Sequence, residues 1–216
     1  MAVNESVLAL LREAVGAKNV NAHGPVVTPD DGDAAVAAVR VCSEASTPIV
    51  ARSSHDQHKE APGDGVVLSL ERLTSIDVRA PGLTLRAGAG ASVESVRDRA
   101  AAEQLSVVGL GAAQGAVGSV VARGAVPRRS LTGVDAVLTT GETIVFGGAA
   151  LKDVVGYDIP ALLLGSMGRL AVILAVTFRL EPAGARTTVA TAPGEVRVDA
   201  ALQRAFDPKG LLQSAS

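Results

Sequence analysis

The densest set of groups able to do chemistry is the polar stretch Arg52-Ser-Ser-His-Asp-Gln-His-Lys-Glu60. His55, with its near-neutral pKa, suits general acid–base work. His55, Asp56 and His58 are also the residue types that hold a divalent metal. The i, i+3 histidine pair sits in a loop without a further fixed ligand, so no metal is expected. A solvated loop is the favoured reading of the same residues. A second set is Lys152-Asp-Val-Val-Gly-Tyr-Asp158, which brings a cation, carboxylates and the chain's one tyrosine together before a short helix. Asp158 is placed to cap that helix, which leaves Lys152 as either a working cation or a surface residue. The catalytic candidates are thus His55, Asp56, His58, Lys152 and Tyr157, with none singled out. His23, before Gly24-Pro25, reads as structural.

Two glycine-rich segments carry the remaining signal. Residues 107–119 hold four glycines (Gly109, Gly111, Gly115 and Gly118) among small side chains. Such a backbone can lie against a flat or anionic ligand, and its amides can bind phosphate or carbonyl oxygens. Tight turns between packed lobes explain the same spacing. Gly165 and Gly168 form a turn that delivers the apolar run 170–180.

The elements that must position these groups follow from periodicity. Apolar spacing predicts helices over residues 6–15, from a start at Thr28-Pro29-Asp30 to Ser43, and from a Ser92 N-cap with Val93, Val96 and Ala100 inward. Strands are expected at 26–27, 49–51 and 66–70. A hairpin is expected over 76–86 with Ala80-Pro-Gly82 at its turn, and a strand pair at 134–138 and 143–146. Residues 159–164 read as a short helix and 170–180 as a strand buried on both faces. Residues 196–206 read as a last helix stopped by Asp207-Pro208. The mixture predicts an α+β protein with two lobes.

Composition narrows the function. The chain has 216 residues, 20 Lys and Arg against 22 Asp and Glu, and 2% aromatics. With no basic excess and few stacking rings, nucleic acid is not an expected partner. One cysteine, Cys42, excludes an internal disulfide. No apolar stretch is long enough to span a membrane. Charges interrupt the N-terminal apolar pattern, so no signal peptide is read there, and a cytoplasmic soluble protein is expected.

The order of the motifs resembles the FAD-linked oxidases, the vanillyl-alcohol-oxidase-like flavoproteins with a PCMH-type FAD-binding domain. Within them it is most similar to the FAD-binding subunits of the glycolate oxidase type. Thr28-Pro29 with the alanine-rich helix after it resembles the family's opening element, and 112–122 its small-residue loop "GATVGG…A". Lys152 to Asp158 is similar to "KNVAGYD", 163–173 to "LLVGSLGTLGVI", and 205–212 to the C-terminal "AFDPxGLLNPG". The resemblance implies a two-lobed fold holding FAD non-covalently in the cleft between the lobes. The cofactor-binding positions it implies are Arg52, Ser53, Ser54 and His55 in the phosphate loop. From the small-residue loop it adds Gly111, Gln114, Gly115, Val117, Gly118 and Ser119, and from the last strand Gly168, Val172 and Ile173. With the N-terminal helix read over 1–20, it implies an FAD-binding domain over 21–181, with lobes of about 21–86 and 87–181. A linker over 182–195 and a tail helix over 196–216 complete the expected organisation.

Three departures from the family stand out. Its phosphate loop reads "RGGGT", whereas this chain has Arg52-Ser-Ser-His-Asp56. A side chain where a glycine has positive φ costs about 1 kcal/mol. A carboxylate 4 Å from a phosphate charge costs on the order of 4 kcal/mol at an effective dielectric of about 20, which Arg52 and Lys59 offset in part. The family's covalent histidine position falls on Asp56 here, with His55 one residue off. The segment around Val121 to Arg129 is shorter than in the family. In place of a substrate-binding cap domain stands only 182–195. Two readings follow. In one the chain is an FAD-binding oxidoreductase subunit acting on a 2-hydroxy acid, its cleft covered by a partner chain or a second copy. In the other the flavin has been lost and the vacated cleft serves a non-redox reaction or a binding partner.

Overall fold

The structure, a computed structural model, describes residues 3–21, 25–53, 63–111, 113–147, 158–185 and 192–213. The chain enters through helix α1 (Glu5–Val15), capped by the Asn4 side chain and burying Val7, Leu11 and Val15. Strand β1 (Val26–Val27) leads to helix α2 (Gly32–Glu44). Its cap is Asp31, whose carboxylate accepts from Ala34 N at 2.8 Å, so the helix starts later than Thr28-Pro29 implies. Strands β2 (Ile49–Arg52) and β3 (Val66–Ser69) follow. The three strands are parallel in the order β1-β3-β2, with Arg52 opposite Ser69 at the carboxyl ends.

The second lobe is antiparallel. The hairpin β4 (Ile76–Arg79) and β5 (Thr84–Gly88) forms as its turn chemistry predicts. Helix α3 (Val93–Ala102) is capped by Ser92 and buries Val93, Val96 and Ala100. Strand β6 (Leu105–Val107), helix α4 (Val117–Ala122), and strands β7 (Leu131–Val137) and β8 (Thr143–Phe146) come next. Then follow helix α5 (Ile159–Leu163), strand β9 (Val172–Pro182) and helix α6 (Ala200–Phe206). The sheet runs β4-β5-β9-β7-β8, with β6 pairing the far end of β9. Two expectations shift here. Part of the glycine-rich segment is the helix α4, too short for periodicity to reveal. The last helix begins at Ala200, because Asp199 caps it by accepting from Ala201 N at 2.6 Å.

Strand β9 joins the lobes. Its residues Val172 and Leu174 belong to the core around α1, α2 and the parallel sheet, whereas Ile173, Val176 and Phe178 belong to the core of the large sheet. The alternation changes phase at a bulge. Asp135 pairs Ala175 and Ala136 pairs Ile173, which leaves Leu174 without an opposite residue. A bulge inserts one residue and re-aims the side chains beyond it. One strand thereby serves both cores, as its uninterrupted apolar sequence anticipates.

The tail returns to the parallel sheet. Asp207 is buried, and its carboxylate accepts from Leu211 N at 2.9 Å and Leu212 N at 2.8 Å. That turn lays Leu212 beside β2 as a parallel bridge to Ile49. Residues ahead of α6 are also docked: Gly194 N donates to Gly124 O at 2.9 Å, and Val196 N to Gly165 O at 2.9 Å. No helix among the described residues is long and apolar enough to cross a membrane.

Candidate cofactor cleft

The carboxyl ends of β2 and β3 face α4 and the turn before β9 across a cleft. In open sheets of parallel strands, ligands bind beyond these carboxyl ends. The cleft is open to solvent, and about 540 Å³ of space lies in and above it, bulk solvent included. Of the positions implied by the sequence, the fold brings Arg52, Ser53, Gly118, Ser119, Gly168 and Ile173 together on its walls. Gly168 has φ +75°, and a Cβ built there meets nothing within 4 Å, so its surroundings are open space. Gly118 differs: its Cβ would stand 2.9 Å from Ala89 Cβ, so its bareness lets α4 press against the turn after β5.

Other implied positions lie elsewhere. Val117 is fully buried in the core of the large sheet, and Val172 is buried in the opposite core, opposite Val137. Gly111, Gln114 and Gly115 shape the loop behind the cleft and are not on its walls. The Arg97 guanidinium gathers the carbonyls of Leu110, Gly111 and Ala113, and Gly115 O accepts from Val93 N. The amides of Val117 and Gly118 already donate to Ala91 O and Ala89 O, so they are engaged within the fold. Ser54, His55, Asp56, His58, Lys152 and Tyr157 fall outside the described residues. Asp158 caps α5 by accepting from Ala161 N at 3.2 Å, and it takes Arg128 Nε on both carboxylate oxygens at 2.8 Å.

Sequence reasoning missed Arg123 and Met167. Arg123 lines the cleft at the end of α4. Its Nη1 donates to Ser119 Oγ at 2.8 Å and its Nη2 to Gln114 O at 3.4 Å. The available signal was the i, i+4 spacing from Ser119, hidden by reading 107–119 as loop. Met167 also lines the wall, in the left-handed region at φ +55°. A non-glycine residue there carries strain that surrounding structure must hold. Met167 N donates to Ala122 O at 2.8 Å, tying the turn to α4.

These residues fit a flat, anionic dinucleotide. Small side chains such as Ala51, Ala89, Ala122 and Ala171 leave the walls low. Arg52 and Arg123 are the charged residues among the described ones lining the cleft. At the adjoining end of β3, Ser69 Oγ is buried without a hydrogen-bond partner. An orphaned buried hydroxyl is costly and uncommon, and it stands in register with Arg52. Arg52 and Ser53 on one side and Ser119 and Arg123 on the other would hold FAD.

Comparison with known proteins agrees. The family model described as FAD binding domain matches residues 24–147, more than half of the chain. A D-lactate dehydrogenase of Archaeoglobus fulgidus is 31% identical over 188 residues, which make up 81% of this chain and 42% of that protein. A D-2-hydroxyglutarate dehydrogenase of Xanthomonas citri pv. viticola is 33% identical over 127 residues, 53% of this chain and 27% of that one. The chain thus spans less than half the length of these curated relatives. Among solved structures, the glucose dehydrogenase Phl p 4.0202 superposes with a TM-score of 0.69 at 15% identity, covering 82% of this chain and 44% of that one. An alkyldihydroxyacetonephosphate synthase does so with a TM-score of 0.61 at 14% identity, covering 73% of this chain and 31% of that one. The fold is that of PCMH-type FAD-binding proteins, the chain belongs to the FAD binding domain family, and its cofactor is FAD.

Proposed function

We propose that this chain is the FAD-binding part of an oxidoreductase that oxidises a D-2-hydroxy carboxylate. The observation that carries the reading is the cleft itself, with low walls, an open Gly168 and two guanidinium groups among its described lining residues. The substrate class rests on the two relatives named for D-lactate and D-2-hydroxyglutarate. FAD, when bound, supplies the electron acceptor for C2 of the hydroxy acid. The protein's share is to bind and orient: Arg52 and Arg123 supply positive charge, and Ser53 and Ser119 supply hydroxyls. Affinity to the glycolate oxidase type, and a partner chain or second copy that closes the cleft over the flavin, belong to the same proposal.

The test is spectroscopic. Protein purified with FAD should show flavin absorbance bands and gain stability as RT ln(1 + [L]/Kd), about 2.7 kcal/mol at a hundredfold excess over Kd. Anaerobic addition of D-lactate or D-2-hydroxyglutarate, with any partner chain present, should bleach the flavin. L-Isomers should not. A colourless protein that gains no stability from FAD would favour a flavin-free use of the cleft. Uptake of FAD without bleaching by any D-2-hydroxy acid would remove the substrate assignment alone.

A further inference from the structure

We propose that Met167 packs its side chain against a planar ring of FAD, and that this contact is why a methionine stands where the backbone favours glycine. The contact presupposes FAD in the cleft, and it involves a residue to which neither the motifs nor the comparisons give a role.

Left-handed backbone is costly for any residue with a Cβ. Among the described residues, four that are not glycine adopt it: Ser46, Leu83, Gln104 and Met167. Local structure accounts for the first three. Ser46 and Gln104 follow the C-caps of α2 and α3, where a left-handed residue commonly ends a helix. Ser46 N donates to Ser43 O and Thr47 N to Cys42 O, and Gln104 N donates to Ala101 O. Leu83 closes the hairpin turn, its N donating to Ala80 O. Met167 ends no helix. The C-cap of α5 is Leu164, and the left-handed residue that follows it is Gly165, at φ +79°. Two residues on, Met167 stands at φ +55°, directly before Gly168 at φ +75°. Glycine thus serves the left-handed positions on either side of Met167, and a side chain is kept between them.

A neighbouring helix holds it there. Met167 N donates to Ala122 O at 2.8 Å and Gly165 N to Val121 O at 3.0 Å, which clamps the turn to α4. Arg169 Nε donates to Ser166 O at 3.2 Å and braces the turn from its other end. Such strain persists only where surrounding structure imposes it, and it concentrates where ligands are held. Of the four residues, Met167 is the one on the cleft wall. The walls it shares with Ala51, Ala89, Ala122, Ala171 and Ile173 are low and alkyl, and Gly168 leaves open space beside it. Methionine is unbranched and polarizable, and its sulfur makes favourable contacts with aromatic rings. Half-buried, Met167 retains apolar surface that a flat ligand would cover. FAD offers two planar groups, isoalloxazine and adenine.

The experiment titrates the apo-chain with FAD, riboflavin and ADP and follows its urea unfolding, for wild type, M167G, M167A and M167L. Both truncations should weaken FAD by about three- to tenfold, the usual worth of a sulfur–aromatic contact. They should weaken one of riboflavin and ADP to the same degree and leave the other unchanged. A loss confined to riboflavin places Met167 on the isoalloxazine, and one confined to ADP places it on the adenine. M167L should recover most of the loss, since Leu and Met are of similar volume. Without ligand, M167G should unfold at higher urea than M167A, because both lose the same contacts and only alanine retains the left-handed cost. Wild-type affinity for FAD in M167G and M167A overturns the proposal. So does an equal loss for riboflavin and ADP, which would make Met167 a support of the turn. So does an M167G chain less stable than M167A, which would remove the reason to seek a ligand for the strained residue. A wild-type chain that takes up no FAD overturns the cofactor assignment together with the contact.

Discussion

Gly118 and Ala89 touch with no room for another carbon: Gly118 N donates to Ala89 O at 2.8 Å, and a Cβ on Gly118 would stand 2.9 Å from Ala89 Cβ and 3.2 Å from Ala89 O. This contact sets how close α4 comes to the turn after β5, and so the depth of the cofactor cleft. Gly118→Ala gains up to about 1 kcal/mol in helix propensity and loses about 1–3 kcal/mol to overpacking. A net loss of stability is expected in urea unfolding of the apo-chain, with weaker FAD binding. Gly118→Trp should abolish binding by filling the cleft. An alanine variant more stable than wild type would mean that α4 can move away from Ala89.

Acid should loosen the attachment of α1. Asn19 is buried and donates to Asp30 at 3.0 Å, Lys18 pairs with it at 3.0 Å and Arg72 at 2.8 Å, and together they hold the Asp30 carboxyl down at about 2. An unfolded aspartate titrates near 3.9. Because the folded value is the lower, this contribution is present above about pH 4 and fades as pH falls towards 2. Urea midpoints measured from pH 6 to pH 2.5 should therefore drop less steeply for Asp30→Asn than for wild type. Parallel curves would show that the cluster does not couple to folding.

The tail should prove part of the fold. Asp207→Ala strips the partners from the buried amides of Leu211 and Leu212, at about 1–3 kcal/mol for each unpaired buried group. Thermal unfolding should fall accordingly, and amide exchange at Ile49 should rise, since Ile49 N donates to Leu211 O at 2.7 Å. Wild-type stability in this variant would mean that the tail contributes nothing to the parallel sheet.

Flavin should leave on denaturation. The resemblance places the family's covalent position at Asp56, with His55 beside it. Acid precipitation of the loaded protein should put all FAD in the supernatant, for wild type and His55→Ala alike. Fluorescence retained on the denatured wild-type chain but lost in His55→Ala would establish a covalent bond instead.

The Cys42 thiol should be inert in the native state. Burial inside α2 pushes its pKa up to about 12, and reaction with a thiol reagent needs the thiolate. Labelling at pH 8 should proceed only as fast as the protein unfolds. Rapid native labelling would show that α2 opens locally.

The sequence by itself determined what depends on neighbours along the chain. Period-two alternation and the Ala80-Pro-Gly82 turn specified the β4–β5 hairpin, and Ser92 with Val93, Val96 and Ala100 specified α3 and its buried face. The motif order specified the family, because those residues recur as local strings. Only the tertiary structure decided which members of the small-residue segments line the cleft. Val117 and Val172 turn into the two cores, whereas Gly118, Ile173 and Arg123 reach the cleft. The side chain a strand or helix presents depends on phase, and phase here is set by a bulge at Leu174 and by a helix of 6 residues. Neither leaves a periodic trace, since both arise from how the two lobes pack against one strand.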